Sequence, residues 1–375
     1  MKTMMWVAVA LAVVGALAVQ AQPGGDIVIG EYLPMTGASA TFGVSTANGT
    51  ALAIDERNAK GGVHKRKLTK VTFDTASKTS EAPIVVERLI DAEKAVALLG
   101  EVASSASLAG GTVAQRKGVP MITPSSTAEA VTKVGDMISR VCVLDETQAR
   151  AIARFAVDKL GKPPVAIVQD ATQSYSKSLA TAFEADYKAR GGSIVATLSF
   201  TGGNPDFKAQ VDTIKKSGAR AVYVPAYYGD AALLARALDP VRAKITMLGA
   251  DAWDSMDFVK IGGAAVDGAY FVNHFTPTDP RPEVKAFVAA YKARHKTEPD
   301  SLAALGYDAA NLLMEAMERA PSLSGKDLGA AIRATKAFAG VTGAITIDTS
   351  GNPTKAVHIL RIVGGGAKHI ATITP

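Results

Sequence analysis

Two carboxylates three residues apart, Asp251 and Asp254, bracket Trp253 in the stretch MLGADAWDS at 247–255. Such a pair could act as acid and base, ligate a metal, or grip a cation. Acid–base work needs both groups on one substrate, with their pKa values driven apart by different surroundings. At i, i+3 across a strand-to-helix turn, Asp254 is instead expected to cap the helix beginning near Met256, with Ser255 as the competing cap. Metal ligation lacks partners: His64, His274, His295, His358 and His369 are scattered, without HExxH or Cys/His spacing, so neither metal nor cofactor is expected. Ser174-Tyr175-Ser176-Lys177 fits S-x-x-K, but the companion S-D-N and K-T-G motifs are missing, which leaves a secreted serine hydrolase a poor alternative. There is no G-x-S-x-G elbow, no P-loop and no G-x-G-x-x-G after the first strand. Recognition of a positively charged ligand group remains, with Asp251 as the grip.

The elements that would position these residues alternate regularly. Short apolar runs such as DIVIGEYL, AVALLG, PVAIVQD, AVYVPA and GAYFVN read as strands, separated by helix-length segments including 46–60, 82–93, 148–160, 178–190 and 207–216. Repeated βα alternation implies an α/β fold with mainly parallel sheets flanked by helices. Helices are expected at 282–295, 302–319 and near 326–336. After them, AITIDTSGNP and KAVHILRIVGGGAKHIATI read as strands with Gly-rich turns, closing a sheet as an antiparallel edge. At 375 residues the chain suffices for two domains. No linker divides it, which fits a chain that crosses between two lobes more than once.

Ligands of open parallel sheets bind beyond the carboxyl ends of the strands, so the loops there form one set. The earlier loops carry Phe42, Ser104, Ser105, Ser125 and Thr127; the later ones carry Tyr175, Tyr227, Tyr228 and Asp251. Small hydroxyl residues at helix starts favour an anion, while the tyrosines and the carboxylate offer aromatic walls and a negative charge. Together they suit a small zwitterion. Taken singly, each loop reads as a plain N-cap or a packing tyrosine; their convergence carries the argument.

The first 21 residues stand apart. Lys2, an uncharged apolar stretch to Val19 and Val19-Gln20-Ala21 form a signal peptide, with cleavage expected after Ala21 and export to the periplasm. No later apolar run approaches a membrane span, so no direct membrane insertion is expected after cleavage. The net charge of +6 falls to +5 without Lys2, and the run at 64–67 is the only basic cluster in sequence. Nucleic-acid binding would want a continuous basic face interleaved with aromatics. The lone Cys142 allows no internal disulfide and sits in an apolar run, as a buried structural thiol.

In order and spacing, IGEYLPMTGASATFG, ALAIDERNAKGGV, ALLGEVASSASLA, GVPMITPSSTAEAVT, SRVCVLDETQARAIA, VAIVQDATQSYSKSLA and LGYDAANLLMEAM resemble the Leu/Ile/Val-type periplasmic binding proteins of bacterial ABC transporters. The resemblance implies the type I fold: two similar lobes joined by a three-crossing hinge, lobe 1 at 26–143 and 276–343, lobe 2 at 147–272 and 346–375, closing on a small amino acid that is handed to a membrane permease. It implies that Phe42 walls the side-chain pocket, that Ser104 and Thr127, with the main chain around Ser105 and Ser125, hold the α-carboxylate and α-ammonium, and that Tyr175 closes on the carboxylate. Tyr227 would contact the ligand from the second lobe, with Tyr228 and Tyr223 as alternative registers. Asp251, often a Glu in relatives, would pair with the α-ammonium; Trp253 departs from relatives, being bulky for a loop that is often smaller, and is expected at the cleft. A monomer is expected. A sensory receptor of the same fold for amides or small carboxylates is the alternative use.

Overall fold

The computed structural model describes residues 25–203 and 206–374; the expected signal peptide lies outside the described residues. Among them no helix is long and apolar enough to cross a membrane. In the first sheet β1 (Ile27–Leu33), β2 (Leu68–Asp74), β3 (Ala97–Gly100), β4 (Met121–Thr123) and β5 (Ile138–Arg140) run parallel in the order β2-β1-β3-β4-β5. Helices α1 (Ala40–Ala59), α2 (Glu81–Asp91) and α3 (Ser104–Lys117) lie between its strands.

The second sheet begins after α4 (Asp145–Leu160). Its parallel strands are β6 (Val165–Asp170), β7 (Ile194–Phe200), β8 (Ala221–Tyr223), β9 (Thr246–Gly249) and β10 (Tyr270–Asn273), connected through α5 (Ser174–Ala189), α6 (Lys208–Ser217), α7 (Tyr228–Leu238) and α8 (Met256–Gly262). Val165 to Val168 are wholly buried, as an unbroken apolar run in a sheet covered on both faces must be.

The chain then returns. From α9 (Pro282–His295), α10 (Ser301–Arg319) and α11 (Gly325–Arg333), residues including Leu305, Leu312, Leu328 and Ile332 pack with Ile27 and Leu99 of the first sheet or, like Phe287, against Leu52 of α1. A small antiparallel pair follows, β11 (Phe338–Gly340) with β12 (Gly343–Ile345). Finally β13 (Val357–Val363) and β14 (Gly366–Ile373) add an antiparallel edge beside β10, giving the order β14-β13-β10-β9-β8-β6-β7.

Three passages therefore join the lobes, at 141–144, 274–281 and 353–356. The third runs later than the expected crossing at 342–345. Ile347 still packs in the first lobe's core, Gly351 O accepts the Arg140 N–H at 3.0 Å, and Asn352 Oδ1 accepts from Thr132 at 2.9 Å. These contacts hold 347–352 on lobe 1 and move its boundary past 346.

One close approach positions the cleft. A Cβ on Gly49 would lie 2.0 Å from Ala303 O, and one on Gly306 2.6 Å from Thr46 O. Only glycine allows α1 and α10 to meet backbone to backbone. The contact brings the start of α10, with Asp300 and Leu302, beside the turn of α1 that carries Phe42.

Candidate functional site

Two lobe-1 segments offer polar groups to the cleft. Helix α3 starts at Ser104, where the first N–H groups have no intrahelical acceptor and the dipole is positive. Beside it runs the loop Ser125–Ala128 after β4. The loop is held from behind by Arg140, a fully buried guanidinium that donates to Ser126 O at 2.6 Å, Ala128 O at 2.8 Å and Thr132 Oγ1 at 3.2 Å. Ser104 Oγ accepts the Ala128 N–H at 3.3 Å, tying loop to helix. Thr127 Oγ1 is buried with no hydrogen-bond partner.

Lobe 2 supplies the charge. Asp251, 6% exposed at the end of β9, accepts from Tyr175 Oη at 2.7 Å on Oδ1 and faces His274 Nε2 at 2.9 Å on Oδ2. A carboxylate can only accept, so His274 Nε2 donates in this contact, and the buried Nδ1 has no hydrogen-bond partner. The Asp251 N–H donates to Gln148 Oε1 at 3.2 Å, and Tyr175 Oη accepts the Ala252 N–H at 3.2 Å. Burial, and then the adjacent Asp251 charge, push the Tyr175 phenol well above its ordinary value.

The apolar walls come from both lobes. Phe42, Val102 and Leu302 of the first lobe face Tyr175, Tyr227 and Ala252 of the second across a cavity of about 20 Å³, which Ser125 and Asp251 also line. Tyr227 stacks on Tyr175 at 5.3 Å and meets Phe42 edge-on at 6.0 Å. A space of this size holds roughly one water, so the lobes stand closed and an organic ligand reaches the cavity only when they part. Past Tyr227 a wider opening of about 360 Å³ leads outward between Glu101, Asp170 and Asp230; burial raises Glu101 to about 7 and Asp230 to about 6.

Closure is bonded directly. Tyr228 Oη donates to Ala38 O at 2.8 Å, Thr41 Oγ1 to Asp257 Oδ2 at 2.5 Å, and the Ser174 N–H to Ser105 Oγ at 3.1 Å. A hydroxyl-lined helix start, a buried acid opposite it and a cleft that closes over both form a trap for a solute, and the chain matches the Periplasmic binding protein family over residues 26–367. The chain belongs to the periplasmic binding protein family. The Leu/Ile/Val-binding protein BraC3 of Rhizobium johnstonii is 31% identical over 332 residues, covering 88% of this chain and 89% of that protein. The leucine binding protein LivK of Thermotoga maritima superposes with a TM-score of 0.90 at 36% identity, over 93% of this chain and 99% of that one. LivJ of Streptococcus pneumoniae, solved in complex with isoleucine, gives 0.88 at 30% identity, over 93% and 100%. As a member of this family the chain is a solute-binding protein, not an enzyme.

In this periplasmic binding protein the residues singled out from sequence separate into three groups. Phe42, Ser125, Tyr175, Tyr227 and Asp251 line the small cavity. Ser104 and Thr127 do not line it, and Ser105 reaches across to lobe 2, accepting from Ser174 and donating to Gln173 Oε1 at 3.3 Å. Trp253 is elsewhere: 1% exposed, it stacks on Phe258 at 4.7 Å and lies against Gly249 in the second lobe's core. The 3-10 turn at Asp251–Trp253 aims Asp251 into the cleft and the indole inward. Of the tyrosine registers, Tyr227 is on the cavity, Tyr228 latches the lobes, and Tyr223 stacks on Phe183 in the core at 4.1 Å.

Asp254 is not the cap of α8. Ser255 Oγ accepts the Asp257 N–H at 3.2 Å and takes that place, while Asp254 Oδ2 accepts from Asn273 Nδ2 at 2.8 Å and from the Ser301 N–H at 2.7 Å, bridging the lobes. His274, Gln148, Leu302 and Arg140 were not legible as site residues. Each is far from Asp251 or Thr127 in sequence, or is a type that ordinarily fills a core or surface.

Proposed function

We propose that this protein captures a small neutral amino acid, branched-chain aliphatic foremost, between its lobes and delivers it to an inner-membrane ABC permease. The supporting observation is Asp251, a buried carboxylate oriented by Tyr175 and His274, set opposite the start of α3 and beside walls of Phe42, Val102 and Leu302. The α-ammonium pairs with Asp251, the α-carboxylate takes the N–H and hydroxyl groups of Ser104 to Thr127, and the aliphatic side chain lies among the apolar walls. No cation lines this cavity to select an acidic side chain.

On this reading the lobes move about the three passages, and ligand drives closure by binding the closed form better than the open one. The signal peptide takes the chain to the periplasm, where it works as a monomer. A thermal-shift screen of the mature protein against amino acids, amides and carboxylic acids tests the assignment, because a ligand of the native state raises the melting point. Stabilisation by leucine, isoleucine or valine is expected. Stabilisation by non-amino carboxylates alone would refute the role given to Asp251.

A further inference from the structure

The second sheet has another populated end, opposite the cleft. There the loops entering β6, β8 and β9 and the adjacent end of β13 surround a groove of about 540 Å³, to which they bring Lys162, Arg220, Lys244 and Arg361. The cations come from four strands of the run β6-β8-β9-β10-β13. At about 4.8 Å between neighbouring strands the row extends over roughly 19 Å.

All four side chains are exposed, and among the described residues none makes an ion pair or a side-chain hydrogen bond. Arg361 lies over the Tyr270 ring at 5.3 Å, which orients its guanidinium without neutralising it. One carboxylate, Asp267, shares the groove and accepts the Gly364 N–H at 2.8 Å. Pro163 and Pro164 stiffen one wall. Arg57, Lys117, Arg150, Arg190 and Arg294 each meet a carboxylate; these four cations do not. Four like charges converging on one concavity repel one another and focus a positive potential that an anion relieves.

We propose that this groove binds an elongated multivalent anion bearing phosphate groups in a row, with Arg220 and Arg361 as its two forked donors. Guanidinium forks match phosphate oxygens two at a time, and the lysines add point charges between them. Phosphate groups in a row occur in a free oligophosphate and across the headgroups of an anionic bilayer, and the two sources are separable. The site is independent of the amino-acid cleft at the other end of the strands.

The test titrates the mature protein with inorganic tripolyphosphate by calorimetry at fixed ionic strength, beside orthophosphate and beside flotation with phosphatidylglycerol vesicles. Saturable tripolyphosphate binding, tighter than orthophosphate, is expected. It should weaken by about tenfold or more in Arg220→Ala/Arg361→Ala and again, independently, in Lys162→Ala/Lys244→Ala, with far-UV circular dichroism unchanged. Vesicle binding lost in the same variants, without tripolyphosphate binding, would assign the phosphates to a membrane. Failure of both probes to bind, or binding undiminished from the parent in both double variants, overturns the proposal.

Discussion

Replacing Asp251 by Ala tests the ammonium assignment most directly. In the closed protein its carboxylate is 6% exposed, and both oxygens are engaged, one by Tyr175 at 2.7 Å and one by His274 at 2.9 Å. A ligand ammonium entering beside it becomes the one cation at the cavity. Without the carboxylate that cation is buried unpaired, a loss of about 3–5 kcal/mol, or roughly a hundred- to several-thousand-fold in Kd. Titration calorimetry with leucine would measure it. Tyr175→Phe removes one hydrogen bond to the charged group and strands the Ala252 N–H, so it should weaken binding by about 1.5–3 kcal/mol. His274→Gln keeps a donor and should lose less than His274→Ala. If Asp251→Ala lowers affinity less than tenfold while the variant stays folded, the ammonium lies elsewhere and the orientation inferred for the ligand is wrong.

Three further outcomes follow from the geometry. Thr41→Ala combined with Tyr228→Phe removes two bonds that exist only between closed lobes; affinity should fall roughly tenfold or more, by the same factor for every ligand, and a change in the leucine-to-valine Kd ratio would contradict a pure latch. Asp145, wholly buried, is raised to about 7 chiefly by that burial, against the lowering effect of the nearby Thr127 and Ser178 hydroxyls. Its support for the fold is therefore complete below its unfolded value of about 3.9 and is lost as pH rises through about 7. Melting curves from pH 4 to 8 should show Asp145→Asn declining less than the parent over that window. Trp253, in the core and not on the cavity wall, should emit at short wavelength and resist acrylamide quenching with or without ligand; Trp253→Ala should cost about 3–5 kcal/mol of stability, read by denaturant unfolding.

The sequence by itself determined the alternation of strand and helix, the antiparallel close and the set of loops that meet at the strand ends, because apolar periodicity and strand-end position are local properties. It expected a helix start near Ser104 but not the extent of α3: Ser104-Ser105-Ala106-Ser107 with Gly110 and Gly111 has weak helix propensity, and what holds it is the packing of its small residues on the sheet, with Gly110 against the Tyr32 ring. The placement of Asp251 in the cleft needed only its strand end. The direction of Trp253 did not follow, since a single 3-10 turn separates a residue facing ligand from one facing the core.

Only the tertiary structure decided the partners. His274 reaches Asp251 from 23 residues away, Leu302 reaches the cavity because two glycines let α10 lie on α1, and Asp254 spans the lobes to the Ser301 N–H instead of capping its own helix. The basic row at 162, 220, 244 and 361 is dispersed over two hundred residues of chain and exists as a row only because the parallel strands bring their starts, and the antiparallel β13 its far end, to one end of the sheet. Short-range patterns are written in spacing along the chain; charges and hydrogen bonds act over a few ångströms in space, and the fold alone sets which residues share that distance.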